Sequence, residues 1–535
     1  TLIRHLKIEP KRQKSCAWCS LGLRPVRMQW RPFLGAWALA LFGCKGHAPV
    51  LAPSSVDGAA APSAEVVDAT PLADAAATPT VKIAALESPT PVCSEPEWPA
   101  KDPAKTSEDR QGVIRLGYLR KGDIVEAKPE IIKRQSCPEG WFELTTGGFI
   151  CGKYATSDLS AKELESAPHP PYTDRPIPYD YGLNLTNGTP LYRRKVTRVE
   201  RAQYEHALAV GKTPPKPDAP ESAPAEAASG ETPWYMREGA RKLVKLDDLK
   251  SAEGPVVERM VRGFYLALDK KVSFYAGTFW RTTYGFYAPG DHILVHKSTT
   301  EFEGVHVGDA DEKRKLPIGF VLGLHARQYH FEDDKLRRGD HVDRFTIVGL
   351  TGNKKAVDDR NYYETQDGWW MRDIDGTTTK PGPPPEGLGT GEKWIDVNLS
   401  TQSLVAFEGD KPVYATLISS GRHDDNDPTK DHRTQMGAFR IREKHISATM
   451  DDDSASDGPY SIEDVPWIMY FNKGYALHGA FWHSAFGHEK SHGCVNLTPH
   501  DAKEIFGWAG PTLPVGWHGV RATDANPGTQ VIVHD

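Results

Sequence analysis

Between Ala476 and Leu497 the chain reads Ala-Leu-His-Gly-Ala-Phe-Trp-His-Ser-Ala-Phe-Gly-His-Glu-Lys-Ser-His-Gly-Cys-Val-Asn-Leu. Cys494 stands a few residues ahead of a helix start, where free N–H groups and the positive end of a dipole favour a thiolate. Gly493 lets the backbone approach a substrate and present amide donors. His478 lies sixteen positions upstream, a separation that one hairpin folds into hydrogen-bond range. A thiol, a base and backbone donors are the parts needed for acyl transfer through a thioester. The competing reading is a buried structural cysteine beside incidental histidines. Four histidines (His478, His483, His488 and His492) also raise zinc. Their spacings of five, five and four, in text rich in Gly and aromatics, lack the helical pair or acidic partner that zinc sites favour. Metal therefore ranks behind acyl transfer.

The elements around these residues read as β-structure. Ile395, Val397 and Leu399 alternate with polar residues, Leu404 to Phe407 follows a turn, and Val413 to Ile418 follows Glu-Gly-Asp-Lys, which makes a meander. One helix is placed by Thr498 as cap, Pro499 at its first position and Asp501 completing a Thr-x-x-Asp box. Ala502, Ile505 and Phe506 share its apolar face. Further upstream, Val113-Ile114-Arg115-Leu116, the Gly122-Asp123 turn and Trp141 to Gly148 suggest a small all-β unit. Gly368-Trp369-Trp370-Met371-Arg372 echoes Gly140-Trp141-Phe142-Glu143-Leu144. The fold class expected is mainly β, with small barrels preceding a C-terminal β-rich domain.

The 535 residues include 42 prolines and 48 glycines, unevenly spread, which points to linkers between folded parts. Six divisions are expected: a start and signal over 1–44, a disordered linker over 45–91, and a β module over 92–158. A Pro-rich connector with a short helix at Val199 to Ala209 follows over 159–250. A β-rich middle domain over 251–380 and a catalytic domain over 390–535 complete the chain. The net charge of −6 supplies no basic footprint for nucleic acid. The absence of a long apolar run beyond the N-terminus argues against a multi-span membrane protein.

From Met28 a short basic stretch leads to an apolar run, Phe33 to Phe42, and then Gly43-Cys44, the layout of a secretory signal. Cys137 and Cys151 flank a hairpin-like segment and suit a disulfide in an oxidising compartment; Cys93 competes for either. Cys494 is then an unpaired, candidate reactive thiol.

His-Gly, a spacer, and Ser-His-Gly-Cys-Val-Asn-Leu together resemble the signature of the L,D-transpeptidase catalytic domain, the YkuD type, and the hairpin from Trp394 to Gly421 resembles its start. The resemblance implies a peptidoglycan enzyme that needs no cofactor and no metal. Cys494 would be the nucleophile and His478 the general base, its ring oriented by the Gly479 carbonyl. His492, Gly493 and the Cys494 amide would shape the oxyanion site. Ser491 would fix the loop, while Asn496 stands where many members carry arginine. Trp482 and Tyr475 are candidate pocket walls. The implied partners are peptidoglycan stem peptides, with carbapenem β-lactams as covalent inhibitors. Leu41-Phe42-Gly43-Cys44 resembles a bacterial lipobox, implying lipidation at Cys44, a membrane anchor and an exported, periplasmic or envelope location. The 92–158 text is similar to SH3-type wall-targeting modules, and 251–380 could hold another. A carboxypeptidase, a papain-like wall endopeptidase and an inactive wall anchor are the alternatives. The endopeptidase fits less well because its cysteine precedes its histidine.

Overall fold

The computed structural model describes residues 79–99, 112–210, 234–236, 239, 242, 244–251, 254–296, 302–308, 314–333, 335–428, 430–453 and 458–535. The expected signal, Cys44, the tether up to residue 78 and the Pro-rich run 214–233 lie outside them. Among the described residues, no helix is long and apolar enough to cross a membrane.

Seven strands build a first unit: β1 (Val81–Ala85), β2 (Thr90–Cys93), β3 (Arg115–Leu119), β4 (Ile124–Arg134), β5 (Cys137–Leu144), β6 (Phe149–Cys151) and β7 (Ala155–Thr156). β1 pairs with β4 and β7, β2 with β3 and β6, and β5 with β4 and β6. A second unit follows: β8 (Asp180–Asn184), β9 (Thr189–Tyr192), β10 (Val256–Met260), β11 (Tyr265–Phe274), β12 (Gly277–Thr282), β13 (Tyr287–Pro289) and β14 (Ile293–His296). Its pairings are the same in the same order: β8 with β11 and β14, β9 with β10 and β13, β12 with β11 and β13. After β15 (Val305–His306) comes a third copy. It runs through β16 (Ile318–Val321), β17 (Arg327–Glu332), β18 (Lys335–His341), β19 (Ile347–Val357), β20 (Arg360–Thr365), β21 (Trp370–Arg372) and β22 (Gly376–Thr378). Again the first strand pairs with the fourth and seventh, the second with the third and sixth, and the fifth with the fourth and sixth.

One turn recurs between the fifth and sixth strands of every copy. Gly147, Gly285 and Gly368 donate to the carbonyls of Leu144, Thr282 and Thr365. Each glycine holds a positive φ, at 91°, 83° and 83°, a conformation glycine adopts without steric cost. In the fifth strands Trp141, Phe279 and Tyr362 occupy equivalent positions, opposite Cys151, Pro289 and Arg372.

Four expectations about organisation need correction. The linker does not extend to residue 91, because Ile83, Ala84 and Ala85 are almost fully buried in the first core; small residues that read as tether are packed between strands. The 159–250 connector supplies β8 and β9, so its Pro-rich part is an insertion within the second unit, carrying α1 (Arg198–Val210). The 251–380 region is accordingly the remainder of one unit plus the whole of another. The Gly140/Gly368 echo is out of frame: Gly140 opens β5's buried stretch, whereas Gly368 makes the turn equivalent to Gly147.

The last domain has two sheets. One orders β15, β25 (Lys411–Leu417), β24 (Ser403–Glu408), β23 (Lys393–Asn398), β32 (Gln530–His534) and β26 (Gly437–Arg440). The other carries β31 (Gly519–Arg521), β27 (Glu443–Asp452), β28 (Tyr460–Asn472), β29 (Tyr475–Gly479) and β30 (Val495–Leu497). Ile395, Val397 and Leu404 from the first meet Met469, Leu477 and Val495 from the second in one core, which Ala502 and Ile505 of α2 (Pro499–Trp508) complete. Thr498 caps α2, accepting from the Asp501 amide. The Asp501 carboxylate makes no reciprocal cap; it is buried and accepts from the Tyr414 and Thr416 hydroxyls and the Gly304 amide.

The upstream units bond directly to this domain. β3 extends the second sheet through Gly117 and Tyr118 against β31. Arg120 donates to Asp464 at 2.6 Å, Thr283 donates to the same carboxylate at 2.6 Å, and Ser447 at 2.9 Å. Their side chains have 9% and 0% exposure in the Arg120–Asp464 pair, so removing one partner leaves a buried charge uncompensated. We predict that Asp464→Ala lowers stability by about 3–5 kcal/mol in urea titration of the full chain. Lys128→Ala, which breaks the exposed pair with Glu143, should cost under about 1 kcal/mol.

Candidate active site

β29 and β30 run parallel, with Leu477 opposite Val495, His478 opposite Asn496 and Gly479 opposite Leu497. Parallel neighbours need a crossover between them, and here it is the loop from Ala480 to Cys494. Side chains alternate along a strand, so the register directs His478, Asn496 and Cys494 to one face.

His478 is 3% exposed. Its Nδ1 lies 3.2 Å from the Gly479 carbonyl; a carbonyl only accepts, so Nδ1 carries the proton and Nε2 keeps a free lone pair. Burial pushes the imidazole down to about 4, partly offset by that carbonyl. Cys494 is half-buried, with Sγ 3.7 Å from the Gly474 carbonyl. Burial pushes its thiol up to about 11, with the Ala476 backbone pulling the other way. The expectation that a helix start would favour the thiolate is therefore overturned. β30 separates Cys494 from the α2 N-terminus, whose dipole acts only within a turn of the helix end.

The turn before Cys494 is pinned from two sides. Ser491 Oγ donates to the Cys494 carbonyl at 2.5 Å and accepts from the Gly493 amide at 3.1 Å. Thr434 donates to the Gly493 carbonyl at 2.8 Å and accepts from the Gly421 amide at 3.0 Å. Gly493 has φ +127°, and a Cβ there would come within 2.7 Å of the Tyr475 ring. Because the Gly493 amide is spent on Ser491, it is not a free oxyanion donor, which corrects that assignment. The Cys494 amide has no acceptor among the described residues.

His492 stacks on Tyr460 at 5.2 Å and meets His432 edge-on at 5.0 Å. Trp482 stacks over His478 at 5.8 Å. Trp482 and Tyr475 are half-buried beside the pair, as pocket walls would be. Asn496 is 3% exposed, and its carboxamide lies 2.9 Å from His483 Nε2. It positions the crossover and is not available to grip a substrate, a correction that follows from burial. The four histidines diverge: His478 turns to Gly479, His483 to Asn496, His492 to Tyr460, and His488 is exposed.

Sequence reasoning missed Thr434 and Tyr460. Neither sits near the motif in the chain, and nothing in their local text marks them. The expected disulfide between Cys137 and Cys151 is present, and the competing Cys93 is free and buried in the same cluster. The acidic run Asp451 to Asp453 ends β27, where Asp453 accepts from the Leu246 amide at 2.7 Å.

Residues 392–533 match the YkuD family model, described as the L,D-transpeptidase catalytic domain. The YciB protein of Bacillus subtilis (strain 168), which bears an L,D-transpeptidase name, is 29% identical over 149 residues, covering 25% of this chain and 69% of that protein. Among solved structures, the catalytic domain of the E. faecium L,D-transpeptidase is 27% identical, covering 27% of this chain and 97% of its own, with a TM-score of 0.21. The same domain acylated by ertapenem is 26% identical, covering 27% of this chain and 98% of its own, also with a TM-score of 0.21. The family match and the Bacillus relative both fall on the domain that holds His478 and Cys494: this chain carries, over residues 392–533, a YkuD-type L,D-transpeptidase catalytic domain.

Proposed function

We propose that the protein takes a peptidoglycan stem tetrapeptide as acyl donor and passes the acyl group through a Cys494 thioester to an amine. The observation that carries this reading is the His478 Nδ1 contact with Gly479, which leaves Nε2 as a base on the face shared with the thiol. As Sγ attacks the carbonyl of the donor's diamino acid, its proton passes to His478 Nε2. The tetrahedral oxyanion is met by the Cys494 amide. Collapse breaks the bond to D-alanine, whose amine leaves with the proton from His478. An acceptor amine then attacks the thioester, gives its proton to His478, and the thiol is restored. Water in place of the amine makes the same site a carboxypeptidase. A strained β-lactam amide is an acyl donor for the same thiol, so carbapenems fit as covalent inhibitors.

The setting we infer is the cell envelope. The signal-like text before Cys44 supports export and a lipid anchor, and a disulfide in the first unit suits an oxidising compartment. The repeated β units, SH3-like in our reading, would hold the catalytic domain against the wall.

With disaccharide-tetrapeptide, the wild-type protein should release D-alanine and form a cross-linked dimer by mass spectrometry, and Cys494→Ala should do neither. His478→Gln should slow acylation by about 10²–10⁴-fold, the usual worth of a general base. Equal activity in wild type and Cys494→Ala would refute the nucleophile. A second expectation concerns pH. A thiol raised to about 11 beside an imidazole lowered to about 4 rests as a neutral pair at pH 7. Thiolate appears as pH rises toward the folded pKa, so iodoacetamide labelling of Cys494 should accelerate about tenfold per pH unit between 7 and 10. A plateau reached below pH 7 would mean a preformed thiolate–imidazolium pair.

A further inference from the structure

At the seam of the first unit, the second unit and the catalytic domain lies a cavity of about 310 Å³, near the lower end of small-molecule sites. It is separate from the Cys494 groove, since none of its walls comes from the crossover or from β29 and β30. The first unit contributes Arg115 and Tyr118, the second Tyr284, and the catalytic domain Glu443, His445 and Arg521.

The polar groups on the wall are mostly already paired. Arg120 is bound to Asp464 and lies 4.9 Å over the Tyr284 ring. The Tyr118 hydroxyl is 3.0 Å from His445 Nδ1, which holds the Tyr118 ring in place. Glu443 sits 3.4 Å from Arg521, so these two charges balance. Arg115 is exposed and has no ion-pair partner among the described residues. Among the described residues the wall therefore carries one unbalanced positive charge beside two tyrosine rings. A guanidinium recognises a carboxylate through paired N–H donors, and aromatic faces pack against flat or ring-shaped apolar surface.

We propose that this cavity binds an organic carboxylate carried on a compact ring, a sugar acid, with Arg115 meeting the carboxylate and Tyr118 and Tyr284 flanking the ring. The choice of probe rests on the wall-directed reading above, whereas the chemistry of the cavity does not. Binding there would place a sugar whose carboxylate carries no stem peptide at the joint between the units and the catalytic domain.

The test is calorimetric titration of the full chain with N-acetylmuramic acid, a ring bearing a free carboxylate. Saturable binding is expected, weakened at least about tenfold in Arg115→Gln, as loss of a charged hydrogen bond implies. N-acetylglucosamine lacks the carboxylate and D-alanyl-D-alanine lacks the ring; both should bind at least tenfold more weakly. Arg115 is exposed, and an unchanged melting temperature would establish that the variant folds. Cys494→Ala should bind the probe as the wild type does, even if the catalytic reading fails. Absent saturation, equal binding of the neutral sugar or the dipeptide, or indifference to Arg115→Gln would each overturn the assignment. So would binding lost in Cys494→Ala, which would place the sugar acid in the catalytic groove.

Discussion

The Asp464 carboxylate is the point on which the assembly depends. It takes Arg120 from the first unit, Thr283 from the second and Ser447 from its own domain, while its backbone carbonyl accepts from Tyr181 at 2.5 Å. Asp464 itself has φ +52°, a strained conformation for a residue with a side chain, which persists only where the surroundings over-determine it. A buried ion pair is weak evidence for net stability, since desolvation offsets most of the attraction. What it supplies is a joint, since the two charges come from the first unit and the catalytic domain. Next to it, Glu463 accepts from the Ala267 amide, and burial holds its carboxyl well above the usual range.

That joint lies on the strand that carries the chemistry forward. β28 runs from Asp464 through Met469 and Tyr470, which pair with Leu477 and Ala476 of β29, and β29 presents His478. Burial then acts on both reacting groups in opposite senses, raising the thiol and lowering the imidazole. The site thus avoids a buried ion pair at rest.

The local geometry around His478 and Cys494 was legible in the sequence because it depends on neighbouring residues. His-Gly sets the ring's partner one residue away, and Ser-His-Gly-Cys sets a turn whose hydroxyl and glycine serve each other. The Thr498 cap and the meander from Ile395 were readable for the same reason. What was not readable depended on distance. Arg120 and Asp464 are 344 positions apart, and neither residue type in its own neighbourhood signals a partner. Asp501 reads as half of a capping box but spends its carboxylate on Tyr414, Thr416 and Gly304. The threefold repeat escaped because its strands are short, its second copy is split by an insertion, and its aromatic positions change identity from Trp141 to Phe279 to Tyr362.

The repeats share a topology but are not interchangeable in this molecule. The first joins by strand pairing of β3 with β31. The second reaches the crossover: Tyr181 stacks on Phe481 at 3.8 Å, and His296 Nε2 lies 2.8 Å from the Phe481 carbonyl. The third approaches the same loop further along. Arg344 donates to the Ser484 carbonyl at 2.9 Å, Leu322 fills the space where a Cβ on Gly487 would lie, and Phe320 packs in one cluster with Phe486. A long loop ordered only by its own contacts loses conformational entropy without compensation. Here the loop runs between the base and the nucleophile, so any slack in it would be slack in the distance between them. Contacts from two separate units hold it at Phe481 and again from Ser484 to Gly487. The upstream chain thus braces the crossover that links His478 to Cys494.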